Sequence, residues 1–135
     1  MGTGCLSNNR KGQSAMKIRK VTTNHLVKGE DLNHHGTLFA GRAAEWFVES
    51  GFLAAAAWVP TENIVLVKIN SMTFSTPVKR GAVLRLDSEV VRAGRTSLEA
   101  HIEGSAGGVI SLEGSITFVS VDAEGKPMAH GIEND

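Results

Sequence analysis

The residues best suited to chemistry are gathered in one polar stretch, residues 31–42, of this 135-residue chain. Asn33 carries an amide that both donates and accepts hydrogen bonds, so it can orient a water molecule or hold a carbonyl oxygen. Thr37 can cap a helix that follows it. The backbone N–H groups of Ala40 and Gly41 would then lack intrahelical partners, and such groups can polarise a carbonyl group.

Each of these residues also has a purely structural explanation. An asparagine before a helix commonly accepts hydrogen bonds from nearby backbone groups. Gly36 and Gly41 can simply allow a tight loop and close packing of the helix on a strand. The residues alone leave both explanations open.

Two carboxylates follow in the apolar segment after this stretch, Glu45 and Glu49, one helical turn apart on the same face. Glu49 stands between Val48 and Phe52, where burial would disfavour its charged form and suit it to general-base chemistry. The alternative is a solvated helix edge on which Arg42 pairs with Glu45. We favour Glu49 as a base or nucleophile.

The adjacent histidines, His34 and His35, are poor candidates for a metal site. Adjacent side chains of an extended loop point apart, and no cluster of Cys or carboxylates completes a ligand set. We therefore predict no metal, although one of the two rings can contact a ligand. Ser50 is discounted as a nucleophile because it lacks the G-x-S-x-G turn.

Composition narrows the class of protein. The 14 basic and 14 acidic residues balance, which predicts neither a nucleic-acid partner nor an anionic membrane surface. The single cysteine, Cys5, rules out an intrachain disulfide and suits a reducing compartment. The N-terminus does not resemble a signal peptide, and no apolar run is long enough to span a bilayer. We expect a cytoplasmic protein.

Sequence patterns place the polar stretch before one helix among five strands. Residues 1–15 are rich in Gly, Ser and Asn and are expected to be disordered. Leu38 begins a helix that is apolar on most faces, should be buried on nearly every side, and ends at Pro60. The strands predicted from alternation, β-rich composition and turn residues are Met16–Val27, Ile64–Phe74, Ala82–Arg92, Thr96–Gly104 and Val109–Val121.

One antiparallel five-stranded sheet wrapped around one long helix satisfies this order of elements, which predicts an α+β chain with a hotdog architecture. The domain covers residues 16–127 and is followed by a polar tail, residues 128–135. A helix with so few polar faces needs a concave sheet and a second subunit to cover it.

Three stretches resemble the hotdog-fold acyl-CoA thioesterases, specifically the cytosolic acyl-CoA hydrolase type. Asn33-His34-His35-Gly36-Thr37-Leu38-Phe39-Ala40-Gly41 is similar to the family's Asn-x-x-Gly and Phe-Gly-Gly-like helix start. Phe74–Gly81 resembles the strand end F-x-x-P-V-x-x-G, and Gly94–Ser97 resembles the turn G-R-T-S. The similarity spans roughly Ile18 to Val121.

The resemblance implies hydrolysis of the thioester of an acyl-CoA, with no cofactor beyond the coenzyme A that is part of the substrate. It also implies a homodimer that assembles further to a tetramer or hexamer, with the ligand at the subunit interface. Asn33 matches the family's asparagine. Counted without gaps, the family's aspartate falls on Val48, so we assign the acid to its neighbour Glu49, which would reach across from the opposing subunit.

The predicted site therefore has two parts. The catalytic residues are Asn33, Glu49 and Gly41. The substrate-binding residues include the turn at residues 95–97, which the resemblance assigns to the phosphates of coenzyme A. An arginine fork and hydroxyls can bind phosphate oxygens. A hairpin turn with a solvated arginine explains the same residues equally well. Lys79 and Arg80 rank lower as phosphate contacts. The predicted binding residues are His34, His35, Gly36, Ala40, Arg95, Thr96 and Ser97.

Two other functions stay open. Val48 in place of the family's aspartate favours a module that binds acyl-CoA without hydrolysing it. A dehydratase of the same fold would use His34 or His35 with Glu49, but the Asn-x-x-Gly motif speaks against it.

Overall fold

The computed structural model describes residues 19–132, which form five antiparallel strands and one long helix. The order of strands across the sheet is β1-β3-β4-β5-β2, and all neighbours are antiparallel. The predicted α+β hotdog fold is confirmed, whereas the predicted disorder of residues 1–15 concerns residues outside the described part. The elements are β1 (Val21–Leu26), α1 (Ala40–Ala56), β2 (Ile64–Phe74), β3 (Val83–Ala93), β4 (Ser97–Ala106) and β5 (Val109–Ser120), with 3₁₀ turns at Gly29–Asp31 and Thr61–Asn63.

Helix α1 packs closely on the concave face of the sheet because five of its six buried residues are small. At Gly51, a Cβ atom would lie 3.1 Å from the Cδ1 atoms of both Ile102 and Ile116, so a larger residue would push the helix off the sheet. The buried residues of the helix are Ala43, Phe47, Ser50, Gly51, Ala54 and Ala55.

The prediction that Thr37 caps the helix is wrong. Helix α1 begins at Ala40, and its N-cap is Phe39, whose side chain makes no capping hydrogen bond. The N–H groups of Leu38 and Phe39 each donate to a backbone carbonyl of a neighbouring segment at 2.8 Å. These bonds keep the chain extended for two residues longer than its local sequence suggests.

The prediction that α1 is buried on nearly every side is also wrong for the single chain. Gly41, Glu45, Glu49 and Leu53 are all exposed and follow one another at four-residue spacing. Residues four apart lie on the same face of a helix, so these four form one stripe that points away from the sheet.

Strand β2 forms one edge of the sheet and exposes several large apolar side chains. Val65, Val67, Ile69 and Phe74 are 44–54% exposed. One backbone edge of β2 also pairs with no other strand of the described residues. An apolar edge strand of this kind is a template for pairing with another chain.

The chain after β5 folds back on the domain. Val121 pairs with Pro127 across the predicted turn, in which Asp122 Oδ1 accepts the N–H groups of Glu124 and Lys126 at 2.9 Å. In the polar tail, the Nε2 atom of His130 lies 2.9 Å from the carbonyl oxygen of Ser97. In residues 19–132, no helix is long and apolar enough to cross a membrane.

Candidate active site

The side chain of Asn33 organises the loop before α1. Its Oδ1 accepts the backbone N–H groups of His35 at 2.9 Å and Thr37 at 3.1 Å, and its Nδ2 donates to the hydroxyl of Thr37 at 3.2 Å. Two backbone donors on one atom fix the orientation of the amide. Because Oδ1 is occupied and Nδ2 carries a second hydrogen, Nδ2 is the atom through which Asn33 can bind a ligand.

Asp31 ties both ends of this loop together, a role that the sequence did not indicate. Its side chain is 3% exposed and accepts the N–H of Lys28 at 2.9 Å, and it lies 3.2 Å from Nε of Arg42 on the first turn of α1. Its carbonyl oxygen accepts the N–H of Phe39 at 2.8 Å. Arg42 also pairs with Glu45 at 3.3 Å, as the solvated-edge alternative predicted.

A cavity of about 330 Å³ lies beside the start of α1. One wall comes from the Asn33 loop and the first turns of the helix, and the other from the end of β2, the segment after it and the start of β5. The lining residues are Asn33, Thr37, Leu38, Ala40, Ala43, Phe74, Ser75, Thr76, Pro77, Val78, Ser111 and Leu112.

Two backbone donors at the start of the helix are free within residues 19–132, and one of them belongs to a residue that lines this cavity. Among the described residues, no acceptor faces the backbone N–H of Ala40 or of Gly41. Ala40 lines the cavity, whereas Gly41 does not.

A Cβ atom at Gly41 would collide with the Phe39 ring, so this glycine makes room for that ring. Gly36 has a φ of +82°, which few other residues adopt.

The two histidines do not point apart, so that expectation is wrong. The ring centroids of His34 and His35 are 3.9 Å apart with a tilt of 43°. The reason is local: the N–H of Gly36 donates to the carbonyl of Asn33 at 3.1 Å, which makes this segment a tight turn rather than an extended loop. Both histidines are exposed and neither lines the cavity.

Glu49 is exposed, contrary to the expectation of an apolar environment. Phe52 contacts Phe118 of β5 edge to face, which shows that this flank of α1 points toward β5. Val48 lies one turn before Phe52 on the same flank and packs against the core. Glu49 lies further around the helix, on the exposed stripe, because successive residues are about 100° apart.

The turn containing Arg95, Thr96 and Ser97 lies at the other end of the sheet. It joins the end of β3 to the start of β4, whereas the cavity lies beside Leu112, which pairs with Gly104 near the far end of β4. A strand of this length spans about 30 Å. One chain therefore does not bring Arg95 to Asn33.

A cationic residue does lie near the Asn33 loop, on the segment after β2. Lys79 forms an antiparallel β-bridge with Thr37, although its predicted rank as a phosphate contact was lower than that of Arg95. The sequence signal for this role was the position of Lys79 after Pro77 in the F-x-x-P-V-x-x-G stretch. Only the antiparallel contact between the two loops shows that Lys79 lies close to the Asn33 loop.

Comparison with known proteins identifies the family. Residues 35–112 match the model of the thioesterase superfamily. The acyl-CoA thioester hydrolase YciA of Escherichia coli is 30% identical over 120 residues, which cover 80% of this chain and 88% of YciA. An apo-hexameric acyl-CoA thioesterase has a TM-score of 0.77 at 28% identity, covering 82% of this chain and 74% of that one.

The acyl-CoA hydrolase of Staphylococcus aureus is similar to the same degree. Its structure with butyryl coenzyme A, coenzyme A and coenzyme A disulfide has a TM-score of 0.75 at 28% identity, covering 82% of this chain and 68% of that one. Further structures of that hydrolase carry alanine in place of an asparagine, an aspartate fifteen residues later, or a threonine. Fifteen residues after Asn33, this chain has Val48.

The family match covers more than half of the chain, and the solved relatives share its fold. The chain therefore belongs to the thioesterase superfamily, among the hotdog-fold acyl-CoA thioester hydrolases of the YciA and cytosolic acyl-CoA hydrolase type.

Proposed function

We propose that this protein hydrolyses acyl-CoA thioesters to a free acid and coenzyme A in the cytoplasm. One observation carries the proposal: Asn33, whose Nδ2 has a second hydrogen, and Ala40, whose N–H has no acceptor among the described residues, both line one cavity of about 330 Å³ at the start of α1. Donors that are fixed before the reaction stabilise the negative charge that develops on a thioester oxygen during attack. The cavity has the size and mixed lining of a small-molecule site.

The proposed reaction has one covalent exchange. A carboxylate takes a proton from water, the hydroxide oxygen bonds to the thioester carbon, and the carbon–sulfur bond breaks. The coenzyme A thiolate leaves and takes the proton from the carboxyl group, which regenerates the carboxylate, so atoms and charges balance. We assign the carboxylate to Glu49 of the partner subunit, because Glu49 of the same chain points away from the sheet.

We propose that the second subunit pairs through β2. The exposed apolar side chains and the unpaired edge of this strand favour that contact. In an antiparallel pair of two β2 strands, the partner's Ile64 end lies next to this chain's Phe74. The partner's turn at residues 94–97, which lies at the Ile64 end, then approaches this chain's cavity.

Such a pair gives Arg95, Thr96 and Ser97 of the partner subunit a place as contacts for the coenzyme A phosphates. His34, His35 and Gly36 would border the entrance to the cavity, and Lys79 adds a nearby positive charge. We further propose that dimers assemble to a hexamer, which is the state named for the apo-hexameric relative.

A second candidate function is acyl-CoA binding without turnover. It is favoured by Val48, which stands where the S. aureus hydrolase has an aspartate at the same distance from its asparagine. The exposure of Glu49 in the single chain supports the same candidate.

Free-thiol release from a panel of acyl-CoAs, measured alongside calorimetric binding, tests the proposal. Thiol release supports hydrolysis, binding without release supports the second candidate, and hydration of enoyl-CoA indicates a dehydratase. The sharpest variant is Asn33→Asp, which keeps an acceptor for His35 and Thr37 but removes the Nδ2 donor. We expect a loss of about 100-fold or more in kcat.

The matched control is Asn24→Asp, because Asn24 is exposed on β1 and does not line the cavity. The control should keep full activity, and both variants should keep the melting temperature of the wild type within a few degrees. Full activity in Asn33→Asp would remove Asn33 from the catalytic site.

A further inference from the structure

Strand β5 contains a bulge at the cavity. Its register with β4 shifts so that Leu112 pairs with Gly104 and Ile110 pairs with Ser105, leaving Ser111 as an extra residue. In regular alternation, Ser111 would point to the convex face of the sheet, opposite to buried Leu112. Ser111 is instead 3% exposed and lines the cavity. Bulges commonly re-aim a side chain next to a functional site.

The hydroxyl of Ser111 is poorly satisfied within the chain. Its one hydrogen bond among residues 19–132 runs to the carbonyl oxygen of Val109 at 3.4 Å. Ordinary O–H···O bonds are about 2.5–3.0 Å long, so this contact is weak. A buried hydroxyl without a good partner is unfavourable, so a polar atom of a ligand that reaches it gains a hydrogen bond.

The surroundings of Ser111 are largely apolar. Leu38, Ala43, Val78 and Leu112 line the same cavity and suit the hydrocarbon part of an acyl chain. Of the other hydroxyls in the lining, that of Thr37 is bonded to Asn33, and those of Ser75 and Thr76 belong to exposed residues. The buried and weakly bonded hydroxyl of Ser111 can bind one oxygen atom on that chain. The backbone holds it in place, because the carbonyl oxygen of Ser111 accepts the N–H of Ser75 at 2.8 Å.

We infer that Ser111 is a specificity-determining residue that hydrogen-bonds an oxygen atom on the acyl group. The inferred substrates are short acyl-CoAs that carry a hydroxyl or oxo group, in preference to unsubstituted acyl-CoAs. This inference rests on the proposed function, since it concerns the acyl part of the same ligand. A site with a buried polar group discriminates against an analogue that leaves this group unpaired.

Calorimetry with two non-hydrolysable thioether analogues tests the inference, one of butyryl-CoA and one of 3-hydroxybutyryl-CoA. The wild type should bind the hydroxylated analogue about five- to tenfold more tightly, the effect of one net hydrogen bond. Ser111→Ala should remove this preference and leave the binding of the butyryl analogue unchanged or tighter. The control is Ser105→Ala, the same change at a residue outside the cavity lining.

Equal affinity of the wild type for both analogues would overturn the inference. An equal loss of affinity for both analogues in Ser111→Ala would also overturn it. That result would mean that Ser111 contacts the pantetheine arm, which both analogues share, or only stabilises the fold. Free-thiol release from the two matching thioesters shows whether the inference about Ser111 or the proposed hydrolysis has failed. Preferential binding of the hydroxylated analogue without thiol release supports the inference about Ser111 and contradicts the proposed hydrolysis. Thiol release with equal binding of both analogues supports hydrolysis and contradicts the inference.

Discussion

The buried carboxylate of Asp31 binds Arg42 across the loop that carries Asn33, with 3.2 Å between Oδ1 and Nε. The other carboxylate oxygen accepts the N–H of Lys28 at 2.9 Å. One side chain thus connects the segment before the loop to the first turn of α1. Because the free N–H groups of the helix start lie on that turn, the pair sets the distance between them and the Asn33 amide.

We expect Asp31→Asn to lower both stability and kcat. The amide can still accept the N–H of Lys28, but it loses the charge that attracts Arg42. The loss should be about 1–2 kcal/mol, less than for a fully buried pair because Arg42 is partly exposed. Urea unfolding and steady-state kinetics measure the two effects, and Glu30→Gln is the control for an exposed neighbouring acid. A double-mutant cycle with Arg42→Gln that gives no coupling would contradict this role.

Glu49→Gln should lower kcat by about 100-fold or more, the usual contribution of a positioned base. Glu45→Gln is the matched control, because Glu45 lies on the same exposed stripe and loses only a surface pair with Arg42. The measurement is thiol release at saturating acyl-CoA. Activity of Glu49→Gln within twofold of the wild type would remove this residue from catalysis. A gain of hydrolysis in Val48→Asp would then favour the binding module that has lost its acid.

Arg95→Ala should raise the Michaelis constant for acyl-CoA about tenfold or more, because it removes the proposed charge-assisted hydrogen bond to phosphate. The same variant should leave acyl-pantetheine substrates, which lack the nucleotide phosphates, unaffected. Arg92→Ala is the control, since Arg92 is a nearby arginine whose side chain is 78% exposed and pairs with Glu99. An equal effect on both substrate classes would remove Arg95 from the phosphate site.

The strands were predictable from sequence because alternation and turn residues are local signals. Strand β2 matches its predicted bounds, Ile64–Phe74, at both ends. The start of α1 was not predictable from Thr37, because backbone bonds to distant segments keep residues 38 and 39 extended. Local sequence did not reveal that hydrogen bonds to distant segments compete with helix formation at these two residues.

The candidate site was predictable only in part. The position of Asn33 beside the helix start follows from the order of residues in one short segment. The ion pair of Asp31 with Arg42 could not be predicted in this way, because it depends on the path of a loop. The inward orientation of Ser111 could not be predicted either, because it depends on a shift in strand register. Neither a loop path nor a bulge has a fixed period in sequence.

Stability in acid should depend on Asp87, on the convex face of the sheet. Burial raises the pKa of Asp87, but the hydrogen bond from Thr22 and the interactions with Arg85 outweigh it and hold this pKa below its ordinary value. A carboxyl with a lowered pKa stabilises the fold above its unfolded-state pKa of about 3.9 and loses this effect as the pH falls through its folded-state pKa. Urea unfolding of the wild type and Asp87→Asn should differ at pH 7 and converge once the pH has fallen below the folded-state pKa of Asp87. A difference that does not change with pH would contradict this assignment.

A site shared between subunits predicts that two inactive variants restore each other. In a mixed dimer of Asn33→Asp and Glu49→Gln chains, one site combines both substitutions and the other keeps both native residues. After joint unfolding and refolding at equal amounts, about a quarter of the wild-type activity should return, since half of the dimers are mixed and each has one intact site. The control mixes Asn33→Asp with the double variant, a pair that can form no intact site. If native mass spectrometry finds mixed dimers and no activity returns, then Asn33 and Glu49 do not act across the β2 interface.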